Sequence, residues 1–346
     1  MTDLDRRMLL GVASVAGIAA VARAAQAGSL NPPAGPVAPT MKPLDQVEPR
    51  TPLQSLSGDN SSQYVINQPG SYYLTGNITG VASLNAIAVS APHVTIDLNG
   101  FALLGTIGSA YGIFGSNAAD GLSVRNGAIS GWSGGILLAT TSSQARIEFV
   151  NVDHCSNGGI IIGQRGIISH CTASACGVVG LEAQNGSRVV QCVAAGGTGS
   201  GHGISVDYGS VVEGCTCTEN AGCGFVMAGA GILVTGCKAT FNSMDGVLMN
   251  GPYNEVVDTV TTRNTLSGIH STNSNGRIDR CSMLQNIGNG AQVDTVNGNT
   301  LVLRCTAFGN NGGDYSIASG NRPAQVASWG SVAGGFAASD AVANVR

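Results

Sequence analysis

The stretch GISVDYGSVVEGCTCTEN, residues 203–220, carries the pattern that decides the fold. It opens on Gly203-Ile204, alternates apolar and polar residues through Val206 and Asp207, reaches Val212, then Cys215 and Cys217, and closes on Asn220. At Gly224-Phe225 the same order begins again. Alternation with a period of two marks a strand with one buried face. The Gly-plus-apolar step stands before this stretch at Gly112-Ile113, Gly135-Ile136, Gly159-Ile160 and Gly180-Leu181. It stands after it at Gly246-Val247, Gly268-Ile269 and Gly290-Ala291. The intervals are 21 to 24 residues, and a fixed period of that size is the mark of a solenoid. Repeats so short and so rich in glycine do not hold paired helices, so each is a turn of strands.

A second column lies mid-repeat: Val150, Cys171, Cys192, Cys215, Cys237, Thr259, Cys281 and Cys305. Apolar residues stand three positions before it, as at Ile147, Val212 and Ile278, and small or apolar ones two after it, as at Ala173, Cys217 and Ala307. Three apolar strands per repeat describe a coil of triangular section. Five positions after the cysteine column come Asn220, Asn242, Asn264, Asn286 and Asn310. Asn tolerates left-handed backbone and can bond its own column across rungs, so an Asn ladder at a corner is expected. The ten cysteines then read as stacked small thiols. Rungs ~4.8 Å apart would bring sulfurs close, yet parallel stacked side chains rarely offer a disulfide dihedral, and Cys215-x-Cys217 lacks the second pair that a zinc site needs.

On these columns the chain resembles the right-handed parallel β-helix proteins of the pectate-lyase-like superfold, over roughly residues 86–313. The resemblance implies an all-β, single-stranded, right-handed parallel β-helix of about ten rungs. It also implies caps at both ends, because open edge strands invite end-to-end pairing.

The domain organisation follows. Residues 1–27 read as an export signal: Arg6-Arg7 with Leu9-Leu10 resembles a bacterial twin-arginine leader, and Ala25-Gln26-Ala27 is a small-residue cleavage pattern. Residues 28–62 form a proline-rich tether and lead-in, 63–313 the β-helix, and 314–346, with Trp329, the C-terminal cap. The expected location is the periplasm, the cell surface or the medium of a bacterium. Only 10% of the residues are charged, the formal net charge is −4, and lysine occurs only at Lys42 and Lys238, which excludes nucleic-acid binding by counterion release. No membrane span is expected once the leader is removed, and the solenoid is expected to be monomeric.

Function rests on outward side chains, since the inward ones are committed to stacking. On the Gly-apolar strand these are the second and fourth residues after the glycine. Glu182 and Asp207 fall on adjacent rungs at a diagonal of ~7–8 Å, a spacing suited to carboxylates flanking a glycosidic bond with a water between them. His270 and Asp294 share the same offset, and a carboxylate-oriented histidine can act as acid or base. Thr272 lies between Asn250 and Asp294 in their column, and Tyr208 and Tyr253 follow the strand as sugar contacts. Gly201-His202-Gly203 resembles the Gly-His-Gly strand of polygalacturonases. The acids that pattern requires are replaced by Val178-Val179 and Asn157-Gly158, so His202 is read only as lining a sugar site. The lyase alternative needs a base and positive charge, commonly Ca²⁺, against a uronate carboxylate. Of Lys238, Arg263, Arg280 and Arg304, the adjacent-rung pair Arg280 and Arg304 is the candidate clamp, with Ca²⁺ the cofactor that chemistry would call for.

The expected function is an exported protein that binds, and by lyase or glycoside hydrolase chemistry cleaves, an acidic polysaccharide. A non-catalytic glycan-binding or structural surface solenoid is the alternative. Fold analogy supplies much of this expectation, and the side chains supply the rest.

Overall fold

The computed structural model describes residues 49–324 together with strands 327–328 and 332–334. The expected leader at 1–27, the proline-rich stretch to residue 48 and Trp329 lie outside the described residues. The described chain is a parallel solenoid in two sheets. One has 13 strands, and the other has 23 strands that cover two sides of the coil, close to the ten or so turns expected. Two long strands, Ser123–Ser130 and Arg146–Asp153, join those two sides. The second pairs with both Ile167–Ser169 and Thr172–Ser174 of the next turn.

The quoted repeat shows how one turn is made. His202–Val206, Val211–Glu213 and Thr216–Thr218 are its three strands. Each pairs in register with the turn before and the turn after, as in Leu181↔Ile204↔Phe225 and Val189↔Val212↔Val234. Ile204, Val212, Cys215 and Cys217 are buried inside the coil. Glycine is required at the start of the turn because a Cβ on Gly203 would sit 2.5 Å from the Gly224 carbonyl oxygen and 2.7 Å from Cys217 Sγ. Gly246 meets the same limit, 2.5 Å from the Gly268 oxygen. The repeating glycine therefore marks where successive backbones approach too closely for any side chain.

The stacked columns form as ladders. Cys171 N–H donates to Cys192 Sγ, Cys192 N–H to Cys215 Sγ and Cys215 N–H to Cys237 Sγ, each at 3.4 Å. Where the column changes residue, Thr259 Oγ1 takes the sulfur's place and accepts from Cys237 N–H at 3.4 Å. All ten thiols are free and buried. The Asn column links side chain to side chain: Asn220 Nδ2 to Asn242 Oδ1 at 2.9 Å, Asn242 to Asn264 at 2.9 Å, Asn264 to Asn286 at 3.0 Å and Asn286 to Asn310 at 2.9 Å.

The corner differs from the expectation in one respect. The left-handed residue is the one before each Asn, with φ of +56° at Glu219, +57° at Phe241 and +55° at Arg263. The Asn side chain acts instead as a bridge that occupies buried backbone N–H groups which the ladder leaves free at the bend. No described helix is long and apolar enough to cross a membrane.

Candidate functional site

The outer face of the 13-stranded sheet is set by a break in the alternation. In His202–Val206 both Gly203 and Ile204 are buried, while His202 and Ser205 are half-buried. Because two successive residues turn inward, the outward positions are the residue before the glycine and the second and fourth after it. Three outward columns result where the sequence reading placed two. The first holds Tyr111, Gly134, Gly158, Val179, His202, Cys223, Asp245, Ser267 and Asn289; the second holds Phe114, Leu137, Ile161, Glu182, Ser205, Val226, Leu248, His270 and Gln292. The third runs through Gln184, Asp207, Asn250, Thr272 and Asp294. The face is thus apolar in its early rungs, and its charged side chains begin at Glu182, interrupted by Cys223, Val226 and Leu248.

Glu182 stands at the junction. It is half-buried, opposite Ile161 on one rung and Ser205 on the next. Burial pushes its carboxyl above the usual range, the Gln184 hydrogen bond to Oε1 at 2.8 Å opposes that, and the neighbouring Asp207 charge adds to it. Oε2 has no hydrogen-bond partner among the described residues. Asp207 Oδ1 accepts from Tyr208 N–H at 2.9 Å, and the Tyr208 ring is exposed. His202 Nδ1 accepts from Cys223 N–H at 3.0 Å, so the proton of the neutral ring sits on Nε2. Burial holds its pKa down.

His270 is more constrained than the sequence implied. Its Nε2 meets Asp294 Oδ2 at 2.8 Å, the expected pair, and its Nδ1 meets Asp245 Oδ2 at 3.2 Å. Both partners are acceptors, so both nitrogens carry protons and the ring is an imidazolium. The Asp245 hydrogen bond raises its pKa most, burial opposes that and Asp294 adds to the rise, giving about 9. Asp294 is pushed up by burial, but the hydrogen bonds from His270 and Gln292 outweigh this and leave it below the usual carboxylate range. A ring held in this way is a fixed cation and an acid rather than a base.

Asp245, Ser267, Asn289 and Gln292 complete the cluster and were missed. Ser267 N–H donates to Asp245 Oδ1 at 2.8 Å, Ser267 Oγ donates to Gln292 Oε1 at 2.8 Å, Asn289 Nδ2 to the same Oε1 at 3.0 Å, and Gln292 Nε2 to Asp294 Oδ1 at 2.9 Å. Beside them Thr272 Oγ1 donates to Asn250 Oδ1 at 3.2 Å. Tyr253 is exposed at the corner with φ +59°. The structure thus pairs His270 with Asp294 and Thr272 with Asn250 in the late rungs, while Glu182 and Asp207 stand on adjacent middle rungs within reach of each other's charge.

Arg280 and Arg304 lie on the other sheet, committed to carboxylates. Arg280 holds Asp258 through Nε at 2.6 Å and Nη2 at 2.8 Å, and reaches Asp279 at 3.2 Å. Arg304 holds the fully buried Asp279 carboxylate through Nε at 2.8 Å and through Nη2, and Arg277 reaches it at 2.6 Å. A uronate would have to displace those partners. Among the described residues no group of three or more His, Cys, Asp or Glu side chains is placed to hold a metal ion.

The pattern described as "Right handed beta helix region" matches residues 195–327. No curated protein matches the chain by sequence. Among solved structures, the A-module of the Azotobacter vinelandii mannuronan C-5 epimerase AlgE6 is similar at 15% identity and a TM-score of 0.55, over 78% of this chain and 88% of that one. The periplasmic alginate epimerase AlgG is similar at 14% identity and a TM-score of 0.56, over 82% of each chain. The catalytic domain of a GH87 α-1,3-glucanase is similar at 13% identity and 0.51, over 87% of this chain and 68% of that one. Likeness at these identities is likeness of fold, and it agrees with the stacked columns: the chain is a right-handed parallel β-helix repeat protein.

Proposed function

We propose that this is an exported protein that binds a polysaccharide along the outer face of the 13-stranded sheet and hydrolyses it between Glu182 and Asp207. The observation that carries the reading is Glu182, a half-buried carboxyl raised by burial and by the Asp207 charge on the next rung. Environments that separate two neighbouring carboxyls assign the acid and the base. Glu182 gives its proton to the leaving glycosidic oxygen as the C–O bond breaks. Asp207 takes a proton from the water that forms the new C–O bond on the opposite face. The diagonal between their positions on adjacent rungs is ~7–8 Å, which is compatible with the carboxyl separation of inverting enzymes.

The solved structures similar in fold include enzymes whose names carry mannuronan, alginate and α-1,3-glucan, which supports a glycan as substrate. The charge of the face argues against the acidic glycan first expected. Asp207, Asp245 and Asp294 stand against one imidazolium, and the three outward columns hold no Lys or Arg. A neutral glycan meets no such repulsion. The lyase reading through Arg280 and Arg304 loses support for the separate reason that both guanidiniums are occupied. The expected monomer, and export through the leader at 1–27, belong to this proposal.

The test is incubation of the full chain with neutral and acidic polysaccharides, with and without Ca²⁺, reading reducing ends and unsaturated-product absorbance separately. New reducing ends on a neutral glycan, lost in Glu182→Gln, support the proposal. Unsaturated product would overturn hydrolysis, and binding without cleavage would leave a glycan-binding solenoid.

A further inference from the structure

On the early rungs, next to Glu182, the outer face is notched. Gly134 and Gly158 occupy the first outward column, where Tyr111 stands on one side and Val179 on the other. Their missing side chains leave a concavity of about 150 Å³ walled by Tyr111, Leu137, Ile161 and Val179. Neither glycine is there for its backbone, since neither has a positive φ. A Cβ on Gly134 would lie 2.7 Å from Tyr111 Cδ1, and one on Gly158 would lie 2.6 Å from Ile161 Cδ1. Both encounters are with side chains that line the notch, so any larger residue would fill or close it. Tyr111 is itself braced against Phe114, ring centroids 6.0 Å apart.

The walls are mostly apolar, with the exposed Asn157 at the rim and Glu182 at the far end as the polar side chains. Glu182 Oε1 is taken by Gln184, while Oε2 has no partner among the described residues. A space of this size admits a benzene-sized group, which is one edge of a pyranose and not a disaccharide. A hydroxymethyl arm placed between the Tyr111 ring and the Ile161 side chain would exchange part of its hydroxyl's water for apolar contacts, which costs affinity. A methyl group there gains it.

We propose that the notch is a subsite for a single 6-deoxyhexose unit of the glycan, its methyl group between Tyr111 and Ile161 and a ring hydroxyl on Glu182 Oε2. This rests on the reading of the face as a glycan site and names the sugar class it selects. Methyl burial at ~0.8 kcal/mol corresponds to about fourfold in affinity, and the partly desolvated hydroxyl of the parent hexose widens the difference.

The experiment is saturation-transfer NMR on the full chain with free sugars in matched pairs, D-fucose against D-galactose and L-rhamnose against L-mannose. In at least one pair the deoxy sugar is expected to bind at least about fourfold more tightly, with its methyl protons receiving the largest saturation. Gly158→Ala and Tyr111→Ala, each checked for native far-UV circular dichroism, are each expected to remove that preference. Equal binding within both pairs, no binding of either deoxy sugar, or a preference that survives the variants would overturn the proposal. Free sugars report on the notch without turnover. Absence of the preference in a wild-type chain that still cleaves a polysaccharide through Glu182 would therefore refute the notch alone, and a preference without cleavage would refute the hydrolytic reading alone.

Discussion

Replacing Asn242 by alanine tests the Asn ladder most sharply. Its Oδ1 accepts from Asn220 N–H at 3.2 Å and from Asn220 Nδ2 at 2.9 Å, and its Nδ2 donates to Asn264 Oδ1 at 2.9 Å and to the Cys217 carbonyl at 3.2 Å. Asn242 is fully buried and Asn220 nearly so. Asn242→Ala leaves the Asn220 N–H and one Asn220 Nδ2 hydrogen without partners in a place water does not reach. At about 1–3 kcal/mol for each buried group left unpaired, two such groups give about 2–6 kcal/mol. Partial relaxation of the corner puts the expected loss at about 3 kcal/mol. Asn242→Asp keeps an acceptor toward Asn220 but turns an oxygen against Asn264 Oδ1 and the Cys217 carbonyl, so at neutral pH it is expected to lose at least as much. The assay is urea unfolding followed by far-UV circular dichroism, with amide exchange at Asn220 as a local readout, because repeat arrays open locally as well as globally. A loss below about 1 kcal/mol in both variants, with Asn220 protection unchanged, would refute the claim that the ladder holds this corner.

Three further outcomes are expected. The His270 imidazole, followed by its Cε1 proton in an NMR titration, should titrate near pH 9, where its pKa is raised to about 9 from an ordinary 6.5; Asp245→Asn should move the midpoint down, and a native midpoint at or below 6.5 would contradict the double carboxylate clamp. Because the folded value is the higher one, the stabilisation from His270 is full below pH 6.5 and is lost as pH rises through about 9, so His270→Gln should flatten thermal stability between pH 7 and 9.5. The ten buried thiols should be inert to a thiol reagent in the native chain and react together on unfolding; rapid native reaction of any of them would contradict the stacked core.

The fold was legible because its cause is local and repeated. Nine successive turns, from Gly112 to Gly290, place a glycine where Gly203 meets the Gly224 carbonyl, and the middle and late turns place a small inward residue where Cys215 stacks on Cys192 and Cys237, so the same physical demand is written into the sequence turn after turn. The Asn ladder was legible for the same reason. Its left-handed residue was not, because Glu219, Phe241 and Arg263 share no chemistry that announces a positive φ. The site was legible only in part. The alternation resets at Gly203-Ile204, so the residue before each glycine faces outward again, and only that phase break brings Asp245 to His270 across 25 residues. Arg280 and Arg304 were placed on adjacent rungs correctly. That Asp279 lies buried between them depends on a side-chain direction that spacing alone does not give.

The measurement that bears most directly on the hydrolytic reading is the pH profile of reducing-end release from a neutral polysaccharide by the wild-type chain, Glu182→Gln and Asp207→Asn. The wild type should show a bell whose alkaline limb lies above the ordinary range of a glutamate carboxyl, in the direction burial moves Glu182. Glu182→Gln should abolish that limb and lower kcat by at least about a hundredfold, and Asp207→Asn should lower kcat with KM little changed. Wild-type cleavage that both variants retain would contradict the assignment, as would unsaturated product in place of reducing ends.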